Sequence, residues 1–219
     1  MRIAPRPLIL AALPPSAAVG VFGVSYGVLG TAADIPGWQL VVMSMTVFAG
    51  SAQFAVVSVL ATGGGALAAI VSGGLLNSRY LPIGVDAARV LPGGRLKRAL
   101  LVQLVVDESY ALGIGAGRPG APDGSAMISS GVLLWLAWVG GSALGVVIGP
   151  VLGDPERLGL DAAFPAMFIA LLWPMLSSPG TRRCALGGAV AVLAVAPWAP
   201  AGTGLALAAL VGLALAPTS

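Results

Sequence analysis

The chain has no histidine, a single cysteine and very little charge. Only 9% of its 219 residues are charged, against roughly 25% in a soluble domain. A water-soluble chain of this size needs charge to cover its surface. This one cannot supply it, so its outer surface has to be solvated by lipid. Without histidine, any group that carries a proton near neutral pH has to be an Asp or a Glu in a perturbing environment. One cysteine, Cys184, excludes an internal disulfide. No basic run is interleaved with aromatics, which excludes the usual nucleic-acid surfaces despite a pI of about 9.6.

What the sequence does contain is apolar. Hydrophobic residues make up 58% of it, and the mean hydropathy is +0.97. The 32 glycines and 17 prolines are frequent for soluble helices but ordinary where membrane helices pack closely. The expected fold is an all-α polytopic membrane protein with about six to eight membrane segments, in one domain covering residues 1–219. Arg2 and Arg6 followed by a short apolar run resemble a signal peptide. The apolar stretch continues past Pro14-Pro15 to Gly30, so a first membrane helix is the better reading.

Eight apolar segments can be drawn, at 8–30, 38–61, 66–85, 99–116, 126–152, 162–176, 185–198 and 203–216. A crossing needs ~20 helical residues, and the last three are short by that measure. If all eight cross, Lys and Arg divide five and five between the two sides, with Arg79 left out as too near a helix. Such a division carries no positive-inside bias. The second segment suggests a repair. Its apolar run breaks at Ala49-Gly50-Ser51-Ala52-Gln53, and each arm is roughly 15 Å long as helix, about half a bilayer. The sixth segment has Pro165 inside Asp161-Ala-Ala-Phe164-Pro165-Ala166-Met167-Phe168. If both segments are re-entrant and the N-terminus is cytoplasmic, nine Lys/Arg fall inside and only Arg118 outside. Residues 8–85 and 126–198 then become inverted repeats, a plan used by secondary transporters with broken helices at the midplane. Seven or eight plain spans with a noisy charge distribution is the alternative.

Polar residues at membrane depth are functional candidates. Among the acids, Asp107 and Glu108 alone have apolar sequence on both sides. They are proton-coupling candidates, or else they cap a shorter helix beginning at Ser109. Arg79, in Leu76-Asn77-Ser78-Arg79-Tyr80, is the cation that answers them. It binds a substrate carboxylate, holds one of the acids in a structural pair, or snorkels to the headgroups. Gly50, Ser51 and Gln53 at the second-segment break offer backbone amides and a side-chain amide to a substrate, or let helices pack closely. Asn77, Phe164 and Pro165 complete the expected substrate-binding set. Nothing in the sequence asks for a catalytic group, a metal or another cofactor, so an enzyme is not expected.

The stretches Met43-Ser-Met-Thr-Val-Phe-Ala-Gly-Ser-Ala-Gln53-Phe54, Leu76-Asn77-Ser78-Arg79-Tyr80, Asp107-Glu108-Ser109-Tyr110-Ala111-Leu112 and Asp161–Phe168, taken in order, resemble the AzlC family, the large subunit of bacterial branched-chain amino acid exporters. The resemblance implies a multi-pass protein of the bacterial inner membrane. It also implies export of aliphatic amino acids and a small membrane partner subunit of the AzlD type. Uphill export would then need proton antiport or a similar coupling. The rival readings are a channel, or a membrane subunit with no transport activity of its own.

Overall fold

A computed structural model describes residues 6–118, 122–152, 176–198 and 203–215, with isolated positions 159, 162, 166, 169, 172 and 173. Among the described residues the regular structure is helical. The helices are α1 (Arg6–Ala32), α2 (Gly37–Thr46), α3 (Gly50–Ala61), α4 (Ala66–Asn77), α5 (Tyr80–Val90), α6 (Arg95–Val102), α7 (Asp107–Ala116), α8 (Gly124–Leu152), α9 (Pro179–Val195) and α10 (Thr203–Leu215). Two stretches, Leu8–Ala32 and Gly124–Leu152, are each long and apolar enough to cross a membrane. Phe164 and Pro165, and most of the expected sixth segment, lie outside the described residues.

The chain divides into two compact units, one of residues 1–50 and 77–153, the other of residues 51–76 and 154–219. In the first unit α1 and α8 pack along their length, and glycine makes this possible. A Cβ on Gly23 would lie 2.8 Å from the Trp138 carbonyl oxygen, and Cβ atoms on Gly27, Gly141 and Gly145 would overlap backbone of the facing helix. These residues form Gly23-x-x-x-Gly27 on one helix and Gly141-x-x-x-Gly145-x-x-x-Gly149 on the other, the small-residue spacing that lets membrane helices touch backbone to backbone. The order of the contacts fixes direction. Gly20 meets Ala137, Gly27 meets Ser142, and Gly149 meets Thr31, so α1 and α8 run parallel. Tyr26 stacks on Trp138 at 5.6 Å between ring centres.

Helix α8 serves as a ruler for the other helices of this unit. Gly37, which starts α2, packs on Val146. Near the end of α2, the Met45 carbonyl accepts from Trp135 Nε1 at 3.1 Å. Between them Ser44 Oγ donates to Ser142 Oγ at 2.8 Å. So α2 runs antiparallel to α8 and stops near its middle, after ten residues or roughly 15 Å. The break expected at 49–53 falls slightly earlier, at 47–49, where Phe48 takes φ of 43°. That left-handed conformation is uncommon for a residue with a side chain, and it ends the helix.

The fourth segment, expected as one apolar helix from 99 to 116, is instead two helices bent by 111°. The chain leaves helix at Gln103 and re-enters it at Asp107. At this break Gly131 packs against the Leu104 carbonyl. From there α7 returns toward the start of α8, where the Asp123 amide donates to the Gly113 carbonyl at 2.8 Å. Asp123 also caps α8, accepting from the amides of Ser125 at 2.8 Å and Ala126 at 3.0 Å. The third segment is interrupted too, between Asn77 and Tyr80. Its second half, α5, ends where a Cβ on Gly124 would be 2.7 Å from the Val90 carbonyl. Ala87, Leu91, Val105, Met127 and Ile128 close a small apolar core around these ends.

In the second unit, Gly73 of α4 faces Val56 and Ala52 of α3. There too α9 and α10 form an antiparallel pair, with Gly188 against Ala208 and Gly204 against Val192. Ser178 caps α9 by accepting from the Thr181 amide at 3.1 Å, and Pro179 takes the first turn, where no amide is missed.

Candidate functional site

The three interrupted segments meet. Thr46, Val47 and Phe48 from the first break, Asn77 and Tyr80 from the second, and Val102, Gln103, Val105 and Val106 from the third line one cavity of about 350 Å³. Ligand pockets run from about 300 to 1,000 Å³, so the space suits a small molecule. Against α8 it lies between the levels of Gly131 and Trp135, in the first half of a 29-residue helix, roughly 10–17 Å from its start. The walls are mainly apolar. The polar groups come from the breaks themselves, as expected where irregular backbone is tolerated only beside a cavity.

Gln103 ties two breaks together: its Nε2 donates to the Thr46 carbonyl, at the C-terminus of α2. Arg79 and Asp107 tie the other pair. Arg79 Nη2 lies 2.8 Å from Asp107 Oδ2. Tyr80 sits between them, its hydroxyl accepting from Arg79 at 3.1 Å and donating to Asp107 at 3.4 Å. The guanidinium carbon stands 5.0 Å from the Tyr80 ring centre, within cation–π range. The two charged side chains are 33% and 30% exposed. A pair this open contributes only about 0–1 kcal/mol to stability, so its importance is positional. Asn77 Oδ1 and Arg79 Nε are buried with no hydrogen-bond partner among the described residues. They leave an acceptor and a donor beside an ion pair.

The acids occupy the first turn of α7, where the positive end of the helix dipole favours them. They are therefore not mid-helix residues; they start a shorter helix, close to the capping alternative, although it begins at Asp107 and not at Ser109. Ser109 secures this turn, its Oγ accepting from the Val106 amide at 2.8 Å while donating back to the Val106 carbonyl. Helix α7 is further held to α5 by Tyr110, whose hydroxyl donates to Asp86 at 2.7 Å.

Of the residues expected from sequence, the structure brings together Asn77, Arg79 and Asp107, with Glu108 next in the chain. Gly50 packs on Trp138. Ser51 and Gln53 are buried in α3, within the second unit. Gln103 and the Thr46 carbonyl were not anticipated. Their signal was a lone amide side chain in Leu101-Val-Gln-Leu-Val-Val106, an otherwise apolar stretch.

The family profile described as AzlC protein matches residues 14–152, well over half of the chain. The chain belongs to the AzlC family. The match takes in α2 to α8 and every residue that lines the cavity; α9 and α10 lie beyond it. Two relatives of this AzlC chain are curated proteins. One, from Archaeoglobus fulgidus, is described as an uncharacterized membrane protein. It is 25% identical over 195 residues, or 85% of this chain and 79% of the relative. The other is the branched-chain amino acid transport protein AzlC of Bacillus subtilis. It is 29% identical over 154 residues, or 68% of this chain and 59% of the relative. No solved structure matches the chain.

Proposed function

We propose that this AzlC chain is a secondary transporter that exports branched-chain or related aliphatic amino acids across the bacterial inner membrane. The observation that carries the reading is the convergence of three helix breaks on one cavity beside the long helix α8, with an Arg–Asp pair at its edge. A zwitterionic aliphatic amino acid asks for an anion site, a cation site and an apolar pocket. Arg79 and Asp107 answer each other when they face no substrate. A substrate inserted between them takes Arg79 through its carboxylate and Asp107 through its ammonium, with Asn77 Oδ1 as a second acceptor. Val47, Val105 and Val106 provide apolar wall for the side chain. The Bacillus relative's name supports the substrate class, and it supports transport over catalysis.

Proton coupling falls to Asp107 or Glu108 in this reading, because the chain has no histidine. A small membrane subunit of the AzlD type is its partner, and the N-terminus is cytoplasmic. Two assays test it. Efflux of labelled leucine is measured from cells expressing the chain with and without the small subunit. Counterflow is measured in proteoliposomes. A carrier exchanges labelled for unlabelled leucine. Net flux without exchange points to a channel, and no flux in either setting points to a structural subunit.

A further inference from the structure

The two ends of the fourth segment come together. Lys97 near the start of α6 and Arg118 just after α7 line one cavity, along with Val90, Asp123 and Gly124. Between them the chain rises only to the level of Gly131 on α8, bends by 111°, and returns. Helix α6 has eight residues and α7 ten, roughly 12 and 15 Å. Neither is long enough to cross a hydrocarbon core of about 30 Å. The parallel course of α1 and α8 adds an independent constraint. Two parallel crossings in one chain are separated by an odd number of crossings, and three segments lie between them. Either all three cross or exactly two turn back, so a fourth segment too short to cross implies that one of the other two turns back as well.

Charge selects the face. With α1 and α8 in parallel register, Arg6 lies level with the start of α8. Arg89 at the end of α5, Arg95, Lys97 and Arg98 in α6, and Arg118 after α7 are at that end as well. The opposite end of α1 and α8 carries Asp34 and no cation among the described residues. The positive-inside rule makes the basic end cytoplasmic.

We infer that residues 95–118 form a re-entrant hairpin that enters from the cytoplasmic face and turns at 103–106. There it meets the end of α2, which descends from the opposite face. The cavity is thus bounded on one side by the hairpin tip and on the other by the end of α2, and the Gln103–Thr46 hydrogen bond joins the two. This frame places Arg118 on the cytoplasmic side, where the charge count alone had put it outside. The opposite orientation of residues 8–85 and 126–198 does not carry over to it, because α1 and α8 run parallel.

The test is sided labelling with a membrane-impermeant maleimide in a Cys184→Ser background that retains leucine counterflow. Single cysteines are placed by Lys97→Cys, Arg118→Cys and Ala32→Cys. Intact cells expose the outer face, and inverted vesicles expose the inner one. The hairpin requires that Lys97→Cys and Arg118→Cys both label at least tenfold faster in inverted vesicles, with Ala32→Cys showing the reverse. If Lys97→Cys and Arg118→Cys label from opposite sides, segment four crosses and the inference is overturned. Counterflow of the same preparations reports separately on the transport reading, so either can fail alone.

Discussion

The side-chain amide of Gln103 donates to the backbone carbonyl of Thr46, 57 residues away in the chain. It joins the turn between α6 and α7 to the end of α2 at the edge of the cavity. A hydrogen bond of this kind contributes about 1 kcal/mol net, which is roughly a fivefold change in an equilibrium between joined and separated tips. Gln103→Leu keeps the volume and removes the donor. It is expected to raise the alkylation rate of a Val106→Cys reporter about fivefold while leaving expression unchanged. An unaltered rate would mean that the contact does not hold the tips together.

The membrane character and the first helix break were legible in the sequence, and the reasons are local. Gly50 and Ser51 interrupt an apolar run. The second break carried a signal, three polar residues Asn77-Ser78-Arg79 before Pro82, but residues 66–85 still read as one span. The third break was not legible. Gln103-Leu-Val-Val106 contains neither Gly nor Pro, and its β-branched residues fit an extended turn without announcing one. Its signal lies just after it, since adjacent acids mark the first turn of a helix. The apolar flanks of Asp107 and Glu108 left that reading as an alternative to a mid-helix pair. The parallel packing of α1 on α8 was equally hidden, because glycine spacing marks a contact face without giving the partner's direction.

The Arg79–Asp107 pair separates substrate binding from scaffolding. Arg79→Ala is expected to lower leucine efflux at least tenfold, equivalent to about 1.4 kcal/mol of binding. Arg79→Lys keeps the charge but not the two-pronged donor geometry, and it should recover only part of the activity. The exchange Arg79→Asp with Asp107→Arg restores an ion pair in reversed sense. It should give normal membrane levels and still no efflux, because the substrate's two charged groups then meet the wrong partners. Full activity in the exchanged protein would reduce the pair to a structural role.

Proton coupling is tested at the same turn. If export is driven by proton antiport, wild-type efflux rises when the external medium is acidified, because protons then enter down a steeper gradient. Asp107→Asn and Glu108→Gln remove one titratable group each and keep its shape. One of them is expected to abolish the response to external pH while preserving counterflow, which needs no net proton movement. If both variants, singly and together, keep wild-type efflux and its pH response, neither acid carries the proton.

The last prediction concerns the α1–α8 contact on which the membrane frame rests. A Cβ on Gly145 would overlap the Val24 carbonyl, and backbone cannot rotate aside as a side chain can. Gly145→Ala therefore forces the helices apart, at a cost of roughly 1–3 kcal/mol by analogy with overpacked cores. Gly140 lies five residues earlier on the same helix and has no atom near a built Cβ, so Gly140→Ala adds the same methyl group without a clash. Thermal unfolding in detergent, followed by loss of monodisperse protein, should show Gly145→Ala melting several degrees below wild type. The conversion is about 2–4 °C per kcal/mol for soluble domains of this size. Gly140→Ala should melt with wild type. Because both changes raise helix propensity alike, a drop confined to Gly145→Ala is assigned to the interface. Equal melting of the two would show that α1 and α8 do not touch backbone to backbone, and the parallel register would lose its support.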